Sequence, residues 1–308
     1  MTKWTVADIP HQAGRLAVVT GPGGLGYEIA LALAATGADV VLAGRNPTTG
    51  QASVDRIRAA APAADIRFGQ LDLASLSSIE AFADGLTRAG RPINMLVNNA
   101  GVMMLPRREV TADGFERQLG TNYLGHFALT ARLLPLLSRG RGRVVSVSSI
   151  SAMPGRIHFD DLQLGRSYAP SRAYEQSKLA MILFAYELQR QSQTHGWGLS
   201  SFAAHPGVAH TDLIDKGPGP TSLFGVMTRL FPFVRQSAAR GALPILYAAT
   251  SPDAVPGAYY GPDGFQETRG NPKRVDGPAQ AKDATAARRL WEVSEELTKV
   301  RFGDLVAA

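Results

Sequence analysis

The sequence predicts an α/β protein: a single-domain, doubly wound parallel sheet of about seven strands, flanked by helices on both faces. Three observations predict it. Short apolar, β-branched runs alternate with longer stretches of helical spacing. The runs are apolar throughout, as strands covered on both faces require. The first run ends in a glycine-rich turn that opens a helix, and right-handed crossovers then place helices on either side of the sheet. In order, Leu16–Thr20 (LAVVT) is the first strand, and a helix follows over 25–36. Strands are expected at 39–43 and 66–71, with helices at 50–60 and 75–89 after them. Strands at 93–97 and Arg143–Val147 bracket one long helix over 111–137. A further helix spans 172–193, a strand 199–204, and from residue 257 the chain carries turn signals at 261–264 and 270–272. An amphipathic helix at 282–299 closes it.

With 308 residues and no repeat, low-complexity tract or linker, one domain spanning 1–308 is the reading. It carries a substrate-lid segment at about 212–240 and a C-terminal helical extension at about 278–300. The absence of cysteine excludes disulfide scaffolds, thiolate metal sites and thiol catalysis. The formal charge of +6, from 32 basic and 26 acidic residues, is spread along the chain and does not argue for nucleic acid. No apolar run approaches the roughly 18 residues of a membrane span, and residues 1–14 lack the apolar core of a secretory signal. A cytoplasmic location is expected.

The first strand runs into Thr20-Gly21-Pro22-Gly23-Gly24-Leu25-Gly26. Gly21, Gly23 and Gly26 satisfy G-x-G-x-x-G between a strand and a helix, where backbone N–H groups and the helix dipole can hold a pyrophosphate. The same residues also fit a glycine-rich turn without a ligand. Beyond the second strand, where an acidic residue would bind an adenosine ribose diol, stands Arg45. A guanidinium there suits a 2′-phosphate, which favours NADP(H) over NAD(H), with NAD(H) still admissible; an ordinary surface arginine is the alternative. Tyr174 and Lys178 sit four apart on one helical face. In a chain with 26 Arg and six Lys, a lysine beside a phenol is informative, because an ammonium is a compact charge.

Tyr174-Glu175-Gln176-Ser177-Lys178 resembles the YxxSK signature of the short-chain dehydrogenase/reductase superfamily, with its Rossmann fold. Asn98-Asn99-Ala100-Gly101 follows the fourth strand, Asn122 lies within TNYLGHF, Ser148-Ser149 closes the fifth strand, and His205-Pro206-Gly207 closes the sixth. Gly155 to Leu162 (GRIHFDDL) and the Ser177-Lys178-Leu179-Ala180 run are similar to retinol dehydrogenases and to the dehydrogenase domain of WW-domain oxidoreductases. The long gap between Ser149 and Tyr174 is usual in that branch and points to Ser149 as the catalytic serine, with Ser148 the fallback. One departure is plain. The family loop reads T-G-x-x-x-G-x-G, and Thr20 to Gly26 is one residue short, which bears on cofactor affinity and on the NADP preference.

The resemblance implies an NAD(P)-dependent enzyme acting on CH–OH groups, moving hydride between NADP(H) and a small, hydrophobic alcohol, aldehyde or ketone. Tyr174 is expected as general acid/base and Lys178 as the charge that lowers its pKa. A phenol ordinarily near 10 would need about 4 kcal/mol to titrate three units lower. Ser149 would hydrogen-bond the substrate oxygen, and Asn122 would hold a water linking Lys178 to solvent. Singly, these residues also fit a strand-end cap, a packed core tyrosine and a buried helix polar group. The resemblance further implies cofactor contacts from Gly24 and Leu25 of the loop, Asp72 and Leu73 near the adenine, Asn98, Ala100 and Gly101, Tyr174 and Lys178, and Pro206, Gly207, Val208 and Thr211 near the nicotinamide. His205 and His210 do not form a metal set. The sequence leaves the oligomeric state open; the resemblance admits a homodimer or homotetramer, since the family often pairs the helices of Asn122 and Tyr174. Two rival readings remain: a non-catalytic NADP-sensing protein, and peripheral membrane attachment through the apolar stretch from Leu223 to Phe233.

Overall fold

The computed structural model describes residues 3–209 and 236–303. Its sheet has eight strands in the order β3-β2-β1-β4-β5-β6-β7-β8. These are β1 (Leu16–Thr20), β2 (Asp39–Gly44), β3 (Ile66–Gln70), β4 (Met95–Asn98), β5 (Arg143–Val147), β6 (Ser200–Ala204), β7 (Tyr259–Pro262) and β8 (Pro272–Val275). The first seven are mutually parallel, and β8 pairs antiparallel to β7. The order reverses between β1 and β4, which opens a crevice at their carboxyl ends, the place where doubly wound sheets hold ligands.

Among the described residues the α-helices are α1 (Gly24–Ala35), α2 (Pro47–Ala60), α3 (Leu76–Ala89), the single turn α4 (Arg117–Leu119), α5 (Gly125–Arg132), α6 (Leu134–Arg139), α7 (Pro170–His195), α8 (Ala238–Thr250) and α9 (Ala284–Thr298). Neighbouring strand residues feed opposite cores. Ala17 and Val19 pack with Ile29 and Leu33 of α1, Val54 and Ile57 of α2, and Ile245 and Leu246 of α8. Val18, Leu96 and Val144 pack with Phe82 of α3, Phe127 of α5 and Leu179 of α7. Inner strands such as β1, β2 and β4 read as nearly continuous apolar runs because both faces are buried.

Four elements differ from expectation. The helix expected over 111–137 is broken. Thr111 and Phe115 close a tight turn, and Glu116 caps α4 through the amides of Gln118 and Leu119. A π turn follows at Gly120–Leu124, and Leu133 separates α5 from α6, whose first turn contains Pro135. Proline has no N–H for the ladder and clashes with the preceding turn, so the helix restarts there. Helix α2 begins at Pro47 rather than 50, because the Asn46 side chain accepts the Thr48 and Thr49 amides and proline suits the first helical position. Residues 259–275 hold the β7–β8 hairpin, making eight strands among the described residues rather than about seven; Gly261 and Pro262, past the end of the β6 pairing, and Pro272, in the edge strand β8, mask it as turn, and such residues are tolerated where one side of the strand is unpaired. Residues 238–240, placed in the lid by sequence, are the first turn of α8, capped by Ser237, and Pro244 inside α8 had obscured its pattern. Lid residues 212–235, with His210, Thr211 and the stretch from Leu223 to Phe233, lie outside the described residues.

The C-terminal extension holds α9, capped by Asp283, which lies across α7. Trp291 of α9 and Phe302 beyond it stand 5.2 and 5.1 Å from the Phe127 ring, and the Tyr123 hydroxyl meets Ser294 Oγ at 2.7 Å. Such aromatic pairs contribute on the order of 1 kcal/mol each beyond burial. The faces of α5 and α7 around Phe127 and Phe184 are therefore covered by the chain itself. An oligomer built from these two helices would have to use other residues. Among the described residues, no helix is long and apolar enough to cross a membrane.

Candidate active site

The crevice between β1 and β4 collects most of the residues singled out by sequence. On the β1 side, Gly23 is the N-cap of α1 and offers no side chain to the helix amides, and the first turn contains no acid. The free N–H groups at that end suit an anion. Gly26 must be glycine: a Cβ there would collide with the Gly21 carbonyl, so α1 could not seat against its loop. This cradle fits a pyrophosphate despite its missing residue.

Parallel pairing sets Thr20 opposite Ala43, which brings the end of β2 beside the loop. Arg45 follows β2, exposed, and pairs with no carboxylate among the described residues. Asp72 after β3 spends one carboxylate oxygen on the Ala74 amide at 2.9 Å, and buried Leu73 lies under Gly125 of α5. Asn98 is fully buried; its amide donates to Thr130 Oγ1 at 3.0 Å, while its Oδ1 has no partner among the described residues. Ala100 and Gly101 line the next turn. A Cβ on Gly101 would stand 3.0 Å from Asn122 Oδ1 and 3.7 Å from Lys178 Nζ, so that glycine lets the two approach.

The other side of the candidate site is built on α7. Pro170 starts the helix, and Tyr174 and Lys178 come one turn apart on its buried face. Lys178 Nζ lies 5.7 Å from the centre of the Tyr174 ring and donates to the Val147 carbonyl at 3.0 Å. Burial pushes the Lys178 ammonium down to about 8. Burial likewise pushes the Tyr174 phenol up to about 12, and the neighbouring Ser149 hydroxyl offsets this only in part. Among the protein's own groups, burial thus favours the neutral phenol, in the direction opposite to the one expected of the Lys178 charge. At neutral pH, Tyr174 holds a proton to donate.

The two serines separate cleanly. Ser148 is buried and donates to the Lys178 carbonyl at 2.7 Å, which makes it a brace for α7. Ser149 is half-buried at the end of β5 and faces Tyr174. Asn122 sits in the π turn. Its Oδ1 accepts from Val102 N at 2.8 Å, and its amide donates to the Val102 carbonyl and to Ser177 Oγ, both at 2.9 Å. Ser177 donates in turn to the Tyr174 carbonyl. The Asn122 side chain is therefore occupied in joining the β4 loop to α7.

At the far wall, Gly207 adopts φ 64° and a side chain there would strike the Thr268 carbonyl. Val208 N donates to that carbonyl at 2.8 Å, and Gln236 Nε2 donates to Pro206 O at 2.7 Å. His205 is buried behind them. Its Nδ1 accepts from Gly207 N and its Nε2 meets Glu267 at 2.8 Å, which is bracing of the turn. Among the described residues, no cluster of three or more His, Asp or Glu could hold a metal.

Sequence reasoning missed four residues that tie the site together. Thr20 Oγ1 accepts the amides of Asn99 and Ala100, each at 2.9 Å, and Asn99 Nδ2 donates to the Thr20 carbonyl at 2.7 Å. His126 bridges Thr20 and Asn122, and Ser177 joins Asn122 to α7. All four lie inside motifs already noted, but contacts between residues up to 106 positions apart leave no local signal.

Residues 15–217 match the family model described as short chain dehydrogenase. A mouse protein named polyprenol dehydrogenase is 41% identical over 96% of this chain and 87% of its own length. Human retinol dehydrogenase 12 is 39% identical over 94% of this chain and 88% of that protein. A crystal structure of a protein from Mycobacterium paratuberculosis shares 40% identity with a TM-score of 0.81, covering 98% of this chain and 99% of the other. A crystal structure of a protein from Beutenbergia cavernae, with bound NADP at low occupancy, has a TM-score of 0.63 over 81% of this chain and 96% of its own; at 24% identity it speaks for the fold alone.

Proposed function

The chain belongs to the short chain dehydrogenase family and is an NAD(P)-dependent oxidoreductase acting on CH–OH groups; from that premise we propose that it interconverts a hydrophobic alcohol and its carbonyl compound with NADP(H), Tyr174 serving as proton donor and acceptor. The observation that carries this reading is the convergence of Tyr174, Ser149 and Lys178 on the carboxyl side of the sheet, tied through Asn122 to the loop beside the glycine cradle. The names of the relatives, polyprenol and retinol dehydrogenase, support an isoprenoid-like substrate.

The cofactor supplies the hydride, a step that side chains cannot perform. Gly21, Gly23, Gly24, Leu25 and Gly26 would hold its pyrophosphate through backbone donors, and Arg45 would pair with a 2′-phosphate. When a carbonyl carbon gains hydride, its oxygen gains negative charge. Ser149 donates a hydrogen bond to that oxygen, and Tyr174 delivers the proton it holds at neutral pH. The phenolate left behind is stabilised by Lys178, charged below about pH 8. In the reverse direction, the same phenol must first lose its proton against the cost of burial.

The test is fluorescence titration with NADPH and NADH, then a panel of aldehydes and ketones with the tighter cofactor. Tighter NADPH binding and turnover of long-chain isoprenoid carbonyls are expected. Equal affinity for the two cofactors would remove the Arg45 role, and binding without turnover would favour a sensing protein.

A further inference from the structure

His126 is fully buried in the first turn of α5, four residues after Asn122, and the chemistry above gives it no task. Its Nδ1 lies 2.8 Å from the Asn122 carbonyl oxygen. A carbonyl only accepts, so Nδ1 carries the proton and Nε2 has a lone pair. Thr20 Oγ1 stands 2.9 Å from Nε2, so the Thr20 hydroxyl donates to it. The longer alternative for that proton, the Val97 carbonyl, is 3.3 Å away. The Thr20 oxygen meanwhile accepts the Asn99 and Ala100 amides. Each end's chemistry sets the direction of each bond. One chain of hydrogen bonds thus runs from the β4 loop, through Thr20 at the mouth of the glycine cradle, across the imidazole, to the π turn that carries Asn122. From there the Asn122 side chain continues to Ser177 and to α7 below Tyr174.

We propose that His126 is a positioning residue for the reaction set out above: as a neutral Nδ1–H imidazole it locks the cofactor cradle to the Asn122 turn, so that the hydride and the proton are presented to one carbonyl in fixed register. The inference rests on that functional reading. A protonated ring could not do this, because both nitrogens would donate and the Thr20 oxygen already accepts two N–H groups. Burial, aided by the Lys178 charge, pushes His126 down to about 4, which keeps it neutral across the working range. A phenylalanine would fill the same space but leave the Asn122 carbonyl and the Thr20 hydroxyl without this partner.

The test uses the full chain. Nitrogen-15 histidine NMR reads the tautomer, and amide exchange reads Asn99 and Ala100. NADPH fluorescence titration and carbonyl kinetics are then compared for His126→Phe, His126→Gln, Thr20→Val and the Thr20→Val/His126→Phe pair. We expect a non-titrating Nδ1–H ring between about pH 5.5 and 8. His126→Phe should exchange faster at both amides, bind NADPH several-fold more weakly and lose about tenfold in kcat with little change in KM for the carbonyl compound. His126→Gln, which keeps a donor and an acceptor, should recover part of each loss, and the pair should cost little more than either single change. An Nε2–H ring, a midpoint near the ordinary histidine value, or a His126→Phe protein with wild-type exchange and NADPH affinity would overturn the proposal. Exchange and NADPH affinity are read without turnover, so an inactive wild type would refute the reaction while these two still decide the role of His126.

Discussion

The two halves of the crevice are built on opposite principles. The cradle after β1 is made of backbone: Gly23 caps α1 with no side chain, and Arg45 stands exposed with no carboxylate partner among the described residues. The half proposed to carry the proton transfer is made of buried side chains, with Tyr174, Lys178, Asn122 and His126 at 4% exposure or less. Changes at exposed Arg45 should therefore alter which cofactor binds while leaving the fold alone, whereas buried Gly26 seats α1 itself. On the buried side, function and stability should move together or in opposition, because low dielectric makes each polar group matter for both.

The largest break in that comparison is expected at Lys178. Its ammonium is held at about 8, below its ordinary range near 10.5, so the fold disfavours the charge. That cost is fully present below about pH 8 and is relieved as the pH rises from there toward 10.5, where the unfolded chain also becomes neutral. Lys178→Met should slow turnover on the order of 100-fold or more, yet melt higher at pH 7, by up to about 3 kcal/mol less the lost bond to Val147. Steady-state kinetics and thermal melting check the two halves of this expectation, and a lower melting point would contradict the burial argument. Wild-type reduction should also decline as the pH rises through about 8, where Lys178 loses its charge; a flat pH profile to 10 would contradict it.

Next in size is the cradle. Gly26→Val would push α1 off the Gly21 carbonyl, and NADPH affinity should fall by at least about 100-fold, read by fluorescence titration. Acid then separates the buried half from the exposed one. His126 titrates well below its ordinary 6.5 in the fold, so an unfolded chain binds its proton first, and stability is lost as pH falls from about 6.5 toward 4. The loss attributable to this one ring is up to about 3 kcal/mol, and urea melts of His126→Gln should show a correspondingly flatter acid limb. The smallest expected effect is Arg45→Ala. NADPH should bind about tenfold more weakly, with NADH affinity and melting temperature unchanged. An equal loss for both cofactors would assign Arg45 a general electrostatic part instead.

The same contrast explains what could be read from the chain in advance. Strands such as Leu16–Thr20 and Arg143–Val147 were legible because burial on both faces makes them mostly apolar and β-branched. The glycine cradle and the Tyr174–Lys178 pair were legible because each is a local spacing. The β7–β8 hairpin was not, since Gly261, Pro262 and Pro272 carry turn chemistry into positions where one side of the strand is unpaired and it is tolerated. The break at 117–134 was hidden by continuous apolar periodicity through Leu119, Leu124 and Leu129, which says nothing of a π turn or of the restart at Pro135. The Thr20–His126–Asn122 link joins β1 to a helix 106 residues later, and such a bond exists only once the sheet has formed. Spacing shows the ammonium next to the phenol but not how deeply both are buried, so the desolvation that pushes Tyr174 up was not legible.

Single-turnover oxidation of NADPH by a long-chain aldehyde, followed in wild type and in Tyr174→Phe, puts the buried phenol itself to the proof. The variant should bind NADPH as wild type does and reduce the aldehyde on the order of 10³-fold more slowly. A Tyr174→Phe protein that oxidises NADPH within about threefold of the wild-type rate would show that the proton comes from elsewhere.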